Sequence, residues 1–502
     1  MLFCHCSYPF QITLRVRICA TVACNSSEFS MQINKLHTCE SLLSYTYCNI
    51  YTQIMKQFLI MIATFLLILS AQATPPDTLQ HLLRKGKFEV QARTFFMATI
   101  NEGSLKDFYA WGAGIGSSYE SPCWKGLQVA VSGFVWDNLV SSELAPQANV
   151  INRYEVGLFD ITRPDYTGTL ARLEHLRLMY HYKKSSVALG RMLLKTPFVN
   201  PQDGRMRPNM QEGLWIDWKE GKKLKVQGGV LWAMSPRSTE RWYTIAETFG
   251  IYPQARAVTG RPAQYAGQMP QQPLTIGQLS YTFSPKSEVQ FWTYYMPQTF
   301  YTQLLQWEGS RKIGAGEWLG GAQWAWQQGL DTRTNISPEQ RYMPENHHAW
   351  VVSGRLGYRI GKQTLTLNYT HIGDSGQWLF PREWGRDPFY TFIPRERNEG
   401  FAHVNAFTLN YQTALHKTLQ LQLSVGNYSV PSPTNVAKNK YAMPDYQQFN
   451  ISLQCRPQGF WKGLEMEMLY MVKNNADELT NENFIINKVN MHHVNWIVNY
   501  RF

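Results

Sequence analysis

The chain has 502 residues, a net charge of +12 and 14% aromatic residues, 17 of them Trp. Beyond the first 73 residues no stretch stays apolar for the roughly 18 residues that a spanning helix needs, which excludes a helical membrane protein. The basic charge comes without a zinc-ligand spacing, a basic helical patch or a recognition-helix signature, so nucleic acid is not an expected partner.

Residues 1–54 hold six of the eight cysteines, at spacings that fit neither a zinc site nor a disulfide module. They are read as an upstream extension from a misplaced start codon, the alternative being a cytosolic tail. Residues 55–73, MKQFLIMIATFLLILSAQA, then form a signal peptide: Lys56 is its charged end, Phe58 to Leu69 its apolar run and Ala71-Gln72-Ala73 its cleavage site. Mature protein is expected over 74–502. Removing the leader takes four bases and two acids, so the net charge falls from +12 to +10.

The mature chain alternates. Leu224, Val226, Val230 and Trp232 oppose Lys225 and Gln227; Leu365, Leu367 and Tyr369 oppose Thr364, Thr366, Asn368 and Thr370. Leu419, Leu421, Leu423 and Val425 oppose Gln420, Gln422 and Ser424, and Phe449, Ile451 and Leu453 oppose Gln448, Asn450 and Ser452. At the end, Val494, Trp496, Val498, Tyr500 and Phe502 share a face opposite His493, Asn495, Ile497, Asn499 and Arg501. Apolar rows against lipid and polar rows toward water are the pattern of a transmembrane antiparallel β-barrel closing on itself.

The pattern divides the chain into about 18 strands, starting near residues 86, 108, 124, 170, 186, 211, 222, 274, 287, 300, 315, 347, 363, 401, 417, 446, 463 and 490. Links alternate between short turns (122–124, 183–185, 220–221, 285–286, 361–362, 415–416) and long loops (138–169, 196–210, 237–272, 330–346, 374–400, 430–445, 475–489), with two short outer links, near 101–107 and 298–299, as exceptions in length. A soluble sandwich has no reason to sort its loops by parity, whereas a barrel with periplasmic turns and extracellular loops does.

Charge gathers in two places. On the strand from Leu170 the row Leu176, Leu178, Tyr180 and Tyr182 turns His175, Arg177 and His181 inward, and the strand from His347 turns Ser353, Arg355 and Arg359 inward. An Arg against lipid at mid-membrane would cost roughly 2 to 4 kcal/mol. The other place is a pair of Pro- and Gly-shaped loops: TPFVNPQDGRMRPNMQEG carries Asp203, Arg205, Arg207 and Glu212, and FPREWGRDPFYTFIPRERNEG carries Arg382, Glu383, Arg386, Asp387, Arg395, Glu396, Arg397 and Glu399. Folded into the lumen, such loops narrow it, and fixed guanidinium groups set a field that draws anions or one end of a zwitterion. The competing reading is that Arg and Glu pair with one another and only stiffen the loops.

Three strings, LGRMLLKTPFVNPQDGRMRP, GVLWAMSPRSTERWY and FPREWGRDPFYTFIPRERNEG, resemble the OprD-type outer-membrane porins, in particular a branch seen in Bacteroidetes. The resemblance implies an 18-stranded barrel, often packed as trimers, with a narrow channel for small carboxylate-bearing solutes such as amino acids or sugar acids. It places Arg191, Asp203, Arg205 and Arg207 at or beside a third-loop constriction, and Arg386, Asp387, Arg395 and Arg397 on the seventh loop.

Other signals are weaker. Gly373-Asp374-Ser375-Gly376 lacks the histidine segment of a serine protease. His403 with Asn405, or His371 with Asn368, are thin candidates for a barrel hydrolase. His347-His348 and His492-His493 point to opposite faces of a strand and cannot chelate together, so neither metal nor cofactor is expected. Cys123 and Cys455 fall at turns about four strands apart, or roughly 19 Å, too far for a disulfide. The expected function is a passive, selective diffusion channel in a Gram-negative outer membrane. The rival is an adhesin or receptor acting through its loops.

Overall fold

A computed structural model describes residues 85–146, 152–202, 204–221, 223–476, 479 and 481–502. The expected upstream extension, the signal peptide and Asp203 lie outside these residues. The strands are β1 (Lys87–Asn101), β2 (Phe108–Glu120), β3 (Leu127–Ser141), β4 (Leu170–Tyr182), β5 (Ser185–Met192), β6 (Met210–Trp218), β7 (Leu224–Ser235), β8 (Tyr243–Thr244), β9 (Leu274–Ser284) and β10 (Ser287–Met296). They continue as β11 (Phe300–Ile313), β12 (Gly316–Gly329), β13 (His348–Ile360), β14 (Gln363–Ile372), β15 (Val404–His416), β16 (Leu419–Ser429), β17 (Tyr446–Cys455), β18 (Leu464–Asn475) and β19 (Met491–Arg501).

Every neighbour in the sheet is antiparallel, and β1 pairs with β19 from Gln91↔Arg501 to Asn101↔Met491, which closes the barrel. β7 pairs directly with β9, and β8 is a two-residue ribbon on Ala233 and Met234. The wall therefore has 18 strands, each starting within three residues of its expected position. Closure leaves no edge strand for lipid to leave unsatisfied.

The alternation has the expected cause. On β19, His493, Asn495 and Ile497 are buried inward while Trp496 is 51% exposed on the outer wall; on β14, Asn368 and Thr370 are buried and Leu367 is 55% exposed. β4 breaks the rhythm. Its pairing with β3 shifts between Val131 and Gly133, a bulge that turns Arg172 and Glu174 inward above it and His175 and Arg177 inward below it.

β5 and β6 are short, so the wall above them has a gap. The loop 236–273 fills it: Ala171 N–H donates to Glu240, and Trp242 Nε1 donates to the Leu173 carbonyl at 2.9 Å. The long loops otherwise turn into the upper lumen and share one aromatic core. Phe198 of loop 193–209 stacks on Phe380 of loop 373–403 at 4.8 Å, with Tyr294, Trp378 and Phe389 edge-on or tilted around it. Burying each such ring stabilises by about 1.5 to 3 kcal/mol. Trp384 Nε1 donates to Thr248 Oγ1 at 2.8 Å, and the Asn200 side chain both donates to the Arg386 carbonyl and accepts from its N–H. Gly385 is required by the fit, since a Cβ there would lie 2.5 Å from the Phe198 carbonyl. Loops at opposite places in the sequence are thereby held as one body inside the barrel.

Candidate functional site: an arginine neck between two cavities

Two of the cavities inside the barrel adjoin one another. The upper, about 400 Å³, is lined by loop residues including Arg153, Arg205, Arg237, Arg382, Arg395 and Arg397; the lower, about 890 Å³, includes Lys195, Glu308, Arg355, Arg386, Asp387 and Glu467. Gln202, Gly204, Phe392 and Arg395 line both, so the neck between the cavities is formed where loops 193–209 and 373–403 meet.

Two neck residues hold left-handed backbone without being glycine, Gln202 at φ +41 and Arg395 at φ +73. Such geometry costs of order 1 to 3 kcal/mol and persists only where surrounding structure enforces it. The Gln202 side-chain oxygen accepts from Arg237 Nη1 and, at 3.3 Å, from Arg397 Nη2. Arg395 Nη2 donates to Asn495 Oδ1 at 2.9 Å, and Arg205 Nη1 to the Gly204 carbonyl at 2.7 Å. Gly157 makes room for Arg205, because a Cβ there would sit 2.4 Å from its Nε.

None of these four arginines forms an ion pair among the described residues; their partners are amide oxygens, backbone carbonyls and, for Arg395, the Met97 sulfur at 4.0 Å. Glu155 acts on Arg205 and Arg395 from beyond ion-pair distance, and its own carboxyl is pushed up by burial. Burial, then the Arg395 charge, pulls Arg205 down to about 9; burial also pulls Arg237 down to about 9 and Arg395 to about 10. Guanidinium stays protonated at neutral pH. The shifts therefore register positive charge crowded in a buried neck, opposed by Glu155 only from beyond ion-pair distance.

The wall arginines behave differently. Arg177 pairs with Glu120 at 2.9 Å, Arg355 with Glu308, and Arg359 with Glu317 at 3.3 Å, all facing inward. Arg207 lies against the wall, bonded to Glu174 and 3.8 Å over the Phe134 ring. Arg382 reaches Glu399 at 3.8 Å and covers Tyr441. Arg386 stacks over Phe392 in the lower cavity, near Asp387, whose carboxyl burial raises to about 6 despite Arg397.

Arg191 departs from expectation. It shares the outer face with Val187 and Leu189, standing opposite Leu176 and Glu212, and so does not line the constriction. Its charge is tolerated there because Glu212 pairs with it at 2.8 Å and the Trp242 ring covers it at 4.4 Å. His371 meets Asn405 rather than Asn368, at 3.0 Å on the outer wall, and no Ser hydroxyl joins them among the described residues. Among those residues no group of three or more His, Cys, Asp or Glu side chains is placed to hold a metal ion. Cys123 and Cys455 are free thiols.

Several cavity-lining residues escaped the sequence reading. Arg237 lies within the string GVLWAMSPRSTERWY, yet only the fold brings it to Gln202. Arg153, Lys473 and Lys488 sit on three separate segments and meet in the upper cavity. Lys473 could have been found from the inward row Leu469, Met471, Lys473.

The profile of the outer membrane porins of the OprD family matches residues 169–439, more than half of the chain. Among solved structures, OpdK of Pseudomonas aeruginosa, determined with vanillate, superposes with a TM-score of 0.63 at 14% identity, covering 84% of this chain and 99% of that one. OccK9 (OpdG) of Pseudomonas aeruginosa and OccAB3 of Acinetobacter baumannii give 0.64 at 13% identity with the same coverage. No curated protein matches the sequence. The barrel, its inward loops and the family match together establish that this chain belongs to the OprD family of outer membrane porins.

Proposed function

We propose that this porin is a passive channel selective for small carboxylate-bearing solutes, driven by the solute gradient without a cofactor. The observation that carries the reading is the neck itself, where Arg205, Arg237, Arg395 and Arg397 converge without a carboxylate partner among the described residues. A unit charge about 4 Å from one guanidinium gains roughly 4 kcal/mol at an effective dielectric constant near 20, enough to offset much of its desolvation. A neutral solute gains none of this. Vanillate, the molecule in the OpdK structure, is itself a carboxylate.

An adhesin acting through its loops has no need of charge buried beneath them. One chain closes the wall and supplies the whole neck, so the single barrel is the conducting unit, and packing into trimers would alter neither. The test is uptake into liposomes containing the 74–502 protein, comparing sugar acids and amino acids with neutral sugars of equal size. Faster entry of the carboxylates supports the reading, and equal rates reject it.

A further inference from the structure

We propose that the upper cavity captures solutes bearing at least two anionic groups, dicarboxylates or phosphorylated carboxylates, before they reach the neck; this rests on the anion-selective reading above and narrows it. Eight cations, six Arg and two Lys, line the cavity against two acids, Glu396 and Glu399. Glu399 is already engaged, accepting from Tyr441 at 2.7 Å and facing Arg382 at 3.8 Å and Lys440 at 4.0 Å. With both acids ionised the wall still carries a large positive excess.

The cations form two poles. The neck pole is the four arginines around Gln202. The mouth pole is Arg153, Lys473 and Lys488, and among the described residues each of these donates only to backbone carbonyls: Arg153 to Asn487 at 3.3 Å, Lys473 to Arg395 at 3.2 Å, and Lys488 to Asn483 at 2.8 Å and Ala442 at 3.2 Å. Tyr154 links the poles, its ring centroid 5.5 Å from the Arg153 guanidinium and 5.7 Å from that of Arg395.

A single carboxylate has two oxygens and satisfies one guanidinium fork, or bridges two. That suffices for the neck; Glu396 acts on Lys473, while Arg153 and Lys488 are left without a carboxylate partner among the described residues. A second anionic group on the same solute would answer them. The volume, about 400 Å³, lies in the range that holds a small metabolite. Carboxylate and phosphate both fit an Arg fork, so the shared chemistry is paired anionic groups.

The experiment measures current block in planar bilayers holding the 74–502 porin at pH 6.5, with butyrate, glutarate and 3-phosphoglycerate as probes. Glutarate or 3-phosphoglycerate should block at a dissociation constant lower than that of butyrate by on the order of tenfold. The tighter of the two identifies the source. In Arg153→Gln/Lys488→Gln that advantage should shrink to less than about threefold while the butyrate constant holds, which also shows that the variant is folded. Lys488→Met alone, with a smaller loss in the same direction, serves if the double variant does not assemble. Equal block by all three probes in the wild type would overturn the proposal and leave anion selectivity standing. Free passage of neutral sugars alongside all three would overturn the selectivity reading itself.

Discussion

Replacing Glu174 by Gln should open the channel. Its carboxylate accepts from Arg207 Nε at 2.7 Å, from Arg207 Nη2, and from Arg172 Nη2 and Nε at 2.9 and 3.3 Å, with all three side chains at least nine-tenths buried. Arg172 in turn donates to the Pro208 carbonyl at 2.7 Å, to Ser235 Oγ at 3.2 Å and to the Pro236 carbonyl at 3.3 Å. One carboxylate thus ties loop 193–209 and the base of loop 236–273 to the wall. Gln keeps the shape but leaves two buried guanidinium groups unneutralised, a loss of roughly 3 to 5 kcal/mol for a broken buried pair. That shifts the docked state of the loop by a factor of at least about a hundred. Single-channel conductance should rise, carboxylate preference should fall, and trypsin should cut after Arg205. Glu120→Gln is the control, since its pair with Arg177 is 43% and 19% exposed and contributes about 1 kcal/mol or less. Wild-type conductance and trypsin resistance in Glu174→Gln would refute the reasoning and assign the anchoring to the aromatic core around Phe198.

Three further outcomes follow from the same geometry. Arg191→Gln should leave ion selectivity unchanged and cost about 1 kcal/mol in heat or urea stability, because the side chain faces outward onto Glu212 and Trp242; altered selectivity would place it in the pore. Acidification should raise anion preference. Asp387 loses its negative charge below about 6, and Lys488, which burial pulls down to about 7, gains positive charge over the adjoining range, so both changes act in one direction. Reversal potentials from pH 8 to 5 test this, with Asp387→Asn removing the step near 6; a preference that falls on acidification contradicts it. Intact-protein mass spectrometry with and without a thiol reagent should find Cys123 and Cys455 unlinked, and a 123–455 crosslinked peptide would overturn the strand order.

Much of the fold was legible because lipid and water impose opposite demands on adjacent residues. Leu365, Leu367 and Tyr369 could face only lipid once Thr364, Thr366 and Asn368 faced the lumen, and loop parity then gave the count. The bulge in β4 was not legible: no Gly or Pro marks Leu173-Glu174-His175, so the inward Arg172 and Glu174 were missed. Arg191 could have been placed from Val187 and Leu189 by period alone, whereas the family resemblance drew it toward the constriction. The division of arginines into paired and unpaired was beyond local reading. Arg355 meets Glu308 only through the registers of β11, β12 and β13, and Arg237 meets Gln202 only through the packing of two loops.

The neck is tested most directly by the reversal potential across a bilayer with a tenfold salt gradient, in wild type, Arg395→Ala/Arg397→Ala and Arg359→Ala. The neck arginines predict an anion-selective wild type, a double variant that conducts but loses most of that selectivity, and an Arg359→Ala channel like the wild type, since Arg359 is half exposed and paired with Glu317. A cation-selective wild type, or a double variant with an unchanged potential, would contradict the account.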